Sequence, residues 1–286
     1  MKIGVVYPQT ESKGSPDAVR RIGLATEELG FTHLLAYDHV VGAVHADRDP
    51  KLWGPYTEKD PFHDPFVMFA YLAGLTTKIE FATGVLILPQ RQTVLVAKQC
   101  ADLDLLSGER LRLGVGVGWN YVEYDALGED FATRGARCDE QIGLLRTLWT
   151  GDVVTYQGSF DTMDRGCVIP GPSRQIPIWI GGFGGPAFRR GAEHGDGFMF
   201  AGKLDACLGG WLDVQRRLGE RGRALQGYGA DLLTTGSRSV DDVLCSIEAW
   251  EAAGGTHLSV VCTGMGLDST DAHLDFIHQV AQRRPV

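Results

Sequence analysis

The feature that most narrows what this chain can fold into is an alternation, sustained from end to end, of short apolar runs with longer amphipathic ones. Lys2–Tyr7 (KIGVVY) reads as a strand, and Pro16 to Leu29 as a helix, with Pro16 near its start and Gly30 placed to stop it. Further strands are predicted at Thr32–Ala36, Ile79–Leu88, Leu111–Val117, Ile176–Ile180, Gly197–Phe200, Asp231–Thr235 and Thr256–Cys262. Helical patterns separate them: Asp64–Leu75, Thr93–Leu106, a region ending in Glu140–Trp149, Pro186–His194 and Asp205–Arg221. Val240–Ala253, which Ser239 would cap, and Asp271–Ala281 complete the set. Val153–Met163 alternates around Gly158 and suits a surface hairpin. Strands that are apolar on both faces belong to a parallel sheet covered on both sides. Eight such strand–helix units, with no linker or shift in composition between them, predict an α/β chain folded as one (β/α)8 TIM barrel over residues 1–286. A doubly wound open sheet fits less well.

Composition then excludes several functions. Hydrophobic residues make up 44% and charged residues 22%, which rules out disorder for the bulk of the chain. The net charge of −9 leaves no general basic surface, so neither nucleic acid nor an anionic membrane is an expected partner. Six cysteines lie at least 17 residues apart, which fits neither a metal cluster nor a disulfide scaffold. The opening MKIGVVYPQT lacks a signal-peptide pattern, and no apolar run of ~18 residues occurs, so a reduced, cytoplasmic protein without metal is expected.

In a TIM barrel the chemistry sits on the loops that follow the strands. That rule selects Pro8–Thr10, Tyr37–His39, Pro89–Arg91, Gly118–Asn120 and Gly181–Gly185. Asp38-His39 is the most useful pair, because an imidazole exchanges protons near neutral pH and a carboxylate beside it would raise its basicity or accept from a ring N–H. The plain alternative is a loop histidine satisfied by solvent or a carbonyl. The polar segment that follows, through His63, carries Gly42, Pro50, Gly54, Pro55 and Pro61 and is too long for a connector. His45 and His63 are its candidates for lining substrate space.

Gly181-Gly182-Phe183-Gly184-Gly185-Pro186 leaves a strand and opens a helix, a setting in which backbone N–H groups cradle a phosphate or glycines serve a tight turn. Gly114, Gly116 and Gly118 clear one strand face, either for a flat group or for close strand packing. Trp119 stands where it would cover such a ring. Glu123 and Tyr124 open the next helix, where a carboxylate also suits the dipole. His33 and His257 begin strands and read as structural, whereas His194, His273 and His278 read as surface positions. No nucleophile elbow, HExxH or strand-end lysine is present, which disfavours hydrolase and aldolase chemistry.

Taken in order, Leu34–Val40 (LLAYDHV), Thr83–Arg91 (TGVLILPQR), Ala97–Arg110 (AKQCADLDLLSGER), Gly114–Asn120 (GVGVGWN), Glu123–Gly128 (EYDALG), Pro177–Gly182 (PIWIGG) and Gly195–Phe198 (GDGF) resemble the luciferase-like monooxygenase superfamily. Within it they look most like the branch that uses the deazaflavin coenzyme F420. The resemblance implies a homodimeric, luciferase-like barrel that holds F420, or alternatively FMN, on its C-terminal face. It implies a cis peptide at Gly84-Val85 behind the ring and a phosphate on Gly181, Gly182, Phe183 and Gly184. Asp38 and His39 match ring- and substrate-contacting positions, and Gly118, Trp119 and Asn120 match positions flanking the ring. The expected activity is hydride transfer between F420 and a small organic substrate, with His39 exchanging the proton and Asp38 fixing its orientation. The alternatives are an FMN-dependent monooxygenase, served by a separate flavin reductase, and a non-catalytic F420 or flavin carrier.

Overall fold

In a computed structural model that describes residues 1–284, the alternation closes on itself. The first half runs β1 (Lys2–Val6), α1 (Pro16–Glu28), β2 (His33–Ala36), α2 (Pro65–Ala73), β3 (Glu80–Thr83), β4 (Leu86–Ile87), α3 (Thr93–Ser107), β5 (Leu111–Gly116), α4 (Tyr121–Ala126) and α5 (Arg134–Leu148). A hairpin of β6 (Val154–Gln157) and β7 (Thr162–Gly166) follows. The second half runs β8 (Ile178–Gly181), α6 (Gly184–His194), β9 (Gly197–Ala201), α7 (Leu204–Glu220), β10 (Gly229–Leu233), α8 (Val240–Ala252), β11 (His257–Val260) and α9 (Thr270–Arg283). Ser239 caps α8 as expected, its hydroxyl accepting from the Asp242 amide at 3.2 Å.

The main sheet is parallel, in the order β3-β2-β1-β11-β10-β9-β8-β5-β4, and β3 also pairs with β5, which closes the ring. β3 and β4 are two halves of one barrel strand, so the barrel has eight. The sequence reads Ile79–Leu88 as a single strand, but the ladder breaks at Gly84-Val85, where the peptide bond is cis. Register shows the insertion: Ala82 faces Arg112 while Leu86 faces Val115, leaving one extra residue between them. Because the barrel strands are all parallel, their C-terminal ends share one face, and the selected loops meet there.

Inward-facing residues fill the barrel in layers. The upper layer is apolar, with Val6, Leu35, Ala82, Met199, Leu233 and Val261 in contact. The layer beneath is polar. Ser259 Oγ donates to Asp231 at 3.0 Å and lies 2.8 Å from His33 Nε2, and Arg112 Nη1 sits 3.5 Å from Asp231. The Arg112 guanidinium also lies over the Trp179 ring at 4.2 Å, and His257 meets that indole edge-on. Gly229 is required opposite Trp179, because a Cβ there would run into the indole.

Burial holds His33 and His257 well below the ordinary imidazole range, so both are neutral parts of the barrel floor. His273 corrects a sequence expectation. Predicted on the surface, it is 1% exposed, and its Nε2 lies 3.0 Å from Glu11, because α9 folds its inner face over the loop after β1.

Burial pushes the Asp231 carboxyl up to about 6 despite Arg112 and Ser259. A carboxyl titrating near 6 when folded and ~3.9 when unfolded favours folding below pH 4, and that stability is lost as pH rises through 6. Between pH 4 and 7, wild type is therefore expected to lose on the order of 2–3 kcal/mol relative to Asp231→Asn in urea unfolding. The histidines titrate in both proteins and drop out of the comparison. Two parallel pH profiles would contradict this assignment.

Candidate active site

Asp38 lies two residues beyond β2 and is 2% exposed. Its Oδ2 accepts from the Ile87 amide at 3.0 Å and from Arg91 Nε at 3.3 Å, and its Oδ1 accepts from Arg91 Nη2 at 2.7 Å. The same Nη2 donates to Asp64 at 3.0 Å, and Asp64 caps α2 through the Val67 amide. Burial raises the Asp38 pKa, with Arg91 opposing that shift. These bonds tie Asp38 to Arg91 and the Ile87 amide, and none joins it to His39 among the described residues, unlike the expected pairing.

Glu123 takes that place. Its Oε1 lies 3.1 Å from His39 Nδ1 and accepts from the Val40 and Val41 amides at 2.9 and 3.2 Å, while Oε2 accepts from Gln90 at 3.3 Å. Burial works against the charge, but the bonds from His39, Val41 and Gln90 hold the Glu123 pKa below the ordinary carboxylate value. His39 Nε2 has no hydrogen-bond partner among the described residues. The imidazole is ringed by Phe62, Tyr56 and Trp119, at centroid distances of 4.8, 5.1 and 5.6 Å.

Asn120 and Glu123 have the spacing of a capping box, in which the glutamate would reach back to the cap amide. The structure keeps only half of that motif. Asn120 Oδ1 accepts from the Val122 amide at 3.1 Å, and Glu123 turns across the mouth instead.

The segment between His39 and Asp64 lies over this site without regular structure. Trp119 rests on it at Gly54, where a Cβ would strike the indole, and Tyr121 donates to the Pro50 carbonyl at 2.6 Å. His45 belongs to this cover, 2.9 Å from the Tyr56 carbonyl, and the His63 carbonyl accepts from Gln9. The space left beside His39, lined by Tyr56, Phe62 and Asn120, is about 10 Å³, enough for roughly one water.

The alternate glycines of β5 resolve in favour of close packing. A Cβ at Gly114 would strike the Thr83 carbonyl, and one at Gly116 would strike Val85. Val85, carried inward at the cis bond, lies against Gly116 and Gly181. Gly118 bends with φ +63° above Ile87. One strand further round, Gly182 (φ +144°) and Gly184 (φ +76°) lead into α6, which has no side-chain cap. A Cβ at Gly184 would meet nothing within 4 Å, and Phe183 beside it is 79% exposed. Next along the rim, a groove of about 470 Å³ lies between the loops after β9 and β10, with Lys203, Thr235 and Ser237 at its edge. Among the described residues, no group of three or more His, Cys, Asp or Glu could hold a metal, and no helix is long and apolar enough to cross a membrane.

A closed parallel barrel with a cis-bulged third strand and a glycine-lined helix start is the setting of a luciferase-like protein. The family model for luciferase-like monooxygenases matches residues 1–252, and the chain belongs to that family. An uncharacterized protein of Mycobacterium tuberculosis is 37% identical over 186 residues, a match spanning 62% of this chain and 63% of that protein. Among solved structures, the monooxygenase RslO1 from Streptomyces bottropensis superposes with a TM-score of 0.82 at 17% identity, covering 99% of this chain and 98% of that one. An F420-dependent secondary alcohol dehydrogenase, in complex with an F420-acetone adduct, superposes with a TM-score of 0.79 at 16% identity, covering 99% and 100%.

Removing one partner of a buried ion pair strands the other, typically at a cost of ~3–5 kcal/mol. Asp38→Ala leaves Arg91 with Asp64 but removes its buried partner and the Ile87 acceptor, so it is expected to lower unfolding stability by about 2 kcal/mol or more, measured by urea denaturation. A loss below about 1 kcal/mol would mean that the Arg91 pairing does not hold the mouth together.

Proposed function

We propose that the protein transfers a hydride between the deazaflavin coenzyme F420 and a small organic molecule. The observation that carries this reading is His39. Its Nδ1 is occupied by a buried carboxylate and its Nε2 is unbonded, at the barrel mouth beside the cis-bulged strand. The likeness to the F420-dependent alcohol dehydrogenase supports the choice of cofactor.

The residues present fit such a group. The loop Gly181–Gly184 offers backbone N–H donors, an uncapped helix start and open space at Gly184, which suit a phosphate. Val85 would back the ring, and the adjoining groove at Lys203 leaves length for the remainder of an extended cofactor. When bound, the cofactor supplies the redox chemistry, and the protein supplies position, proton exchange and exclusion of water. His39 Nε2 accepts the hydroxyl proton of an alcohol as it is oxidised to a carbonyl, and returns that proton in the reverse direction. Phe62, Tyr56 and Trp119 keep the imidazole from solvent. Asp38, held by Arg91, keeps the mouth in shape. A homodimer belongs to the same reading: α2 and α3 leave Val67, Tyr71, Leu95 and Leu106 exposed, an apolar face that a second copy would cover.

The second reading is a monooxygenase, favoured by the likeness to the monooxygenase RslO1, with FMN as its cofactor. Fluorescence titration with each cofactor separates the two, and the proposal expects quenching of F420 at concentrations where FMN has no effect. A carboxylate placed in the phosphate position by Gly184→Asp should weaken cofactor binding ~10-fold or more, about 1.4 kcal/mol. Unchanged affinity in a variant with an unchanged thermal midpoint would put the phosphate elsewhere. His39→Ala should lower turnover by ~10²-fold or more while leaving cofactor affinity within a few-fold. Undiminished turnover would remove His39 from the chemistry.

A further inference from the structure

Glu123 Oε1 receives three donors at once, and they belong to two different functions. One is His39 Nδ1 at 3.1 Å, and the others are the amides of Val40 and Val41 at 2.9 and 3.2 Å, the first residues of the segment that covers the mouth. An ionised carboxylate only accepts, so a neutral His39 facing it must carry its proton on Nδ1 and present a lone pair at Nε2. Where the covering segment meets His39 it leaves a space of about 10 Å³, so lifting the segment would open this side of the imidazole to a larger molecule. Lifting it carries Val40 and Val41 away from Oε1. Two further anchors, Trp119 at Gly54 and Tyr121 at the Pro50 carbonyl, come from the β5–α4 junction and the first turn of α4, beside Glu123, while Gln9 holds the far end at the His63 carbonyl. Gln90 remains on Oε2 and steadies the carboxylate from the side opposite His39.

We propose that Glu123 is a positioning residue that couples closure of the covering segment to the readiness of His39, because the oxygen that fixes the imidazole tautomer also latches the segment. This rests on the reading of His39 as the proton-exchanging group. In the closed state a neutral His39 presents its lone pair at Nε2. In the open state Glu123 loses two of its donors, and the imidazole is free to turn.

The test uses the full chain without cofactor, so the choice between F420 and FMN does not enter it. Nitrogen chemical shifts of His39 report the neutral tautomer, and hydrogen exchange reports the amides of Val40 and Val41. Wild type is expected to show His39 as Nδ1–H and slow exchange at both amides. Glu123→Ala should shift His39 towards the Nε2–H form preferred by free imidazole and speed both amides by about 10-fold or more. Glu123→Gln keeps an uncharged acceptor, so it should retain the Nδ1–H tautomer while the amides exchange at least about 3-fold faster. An Nε2–H tautomer in wild type overturns the proposal. So does an alanine variant with unchanged tautomer and unchanged exchange. If Glu123→Ala does not fold, unchanged amide exchange in Glu123→Gln overturns it on its own.

Discussion

The geometry of the mouth follows from how far one guanidinium reaches. Arg91 spans Asp38, just past β2, and Asp64, at the start of α2, while Asp38 also holds the Ile87 amide beyond the cis bond. Three segments distant in sequence are thereby fixed against one another by a planar, permanently charged fork. A buried ion pair adds little net stability over an apolar replacement, yet it penalises every arrangement that separates the charges. At this position that penalty keeps the bulged strand, the end of β2 and the origin of the covering segment in one relation.

Two carboxylates at the mouth thus carry different duties. Asp38 is enclosed by the framework, with both of its oxygens spent on holding backbone and arginine. Glu123 faces the covering segment, with donors from His39 and from the Val40 and Val41 amides. Proximity in sequence favours Asp38 as the partner of His39, but proximity in space selects Glu123. Asp38 and His39 lie past the end of β2, and their side chains take different partners, Arg91 and Glu123.

That difference marks where sequence reasoning succeeds. Barrel class and element order were legible because periodicities of about two and 3.6 residues report buried strands and one-sided helices directly. The loops after the strands followed from the fold. The break at Gly84-Val85 could not be read from periodicity, because TGVLILPQ is apolar on both sides of it, and only the family resemblance pointed there. Arg91 was picked out by its position, but its tie to Asp38 crosses 53 residues and leaves no local trace. Glu123 was obscured by its spacing from Asn120, which advertises a helix cap. His273 shows the same limit: its helical position does not tell that α9 lies over the loop carrying Glu11.

The covering segment touches the described barrel mouth at few points, and several of these come from residues 119–123: the Trp119 indole, the Tyr121 hydroxyl and the Glu123 carboxylate. The Asp38–Arg91–Asp64 clasp holds its two ends beside the bulged strand. A change of length or composition between Gly42 and Pro61 would leave the barrel framework intact so long as those contacts were kept. The cover is therefore a separable module. Lineages could exchange it without rebuilding the barrel beneath.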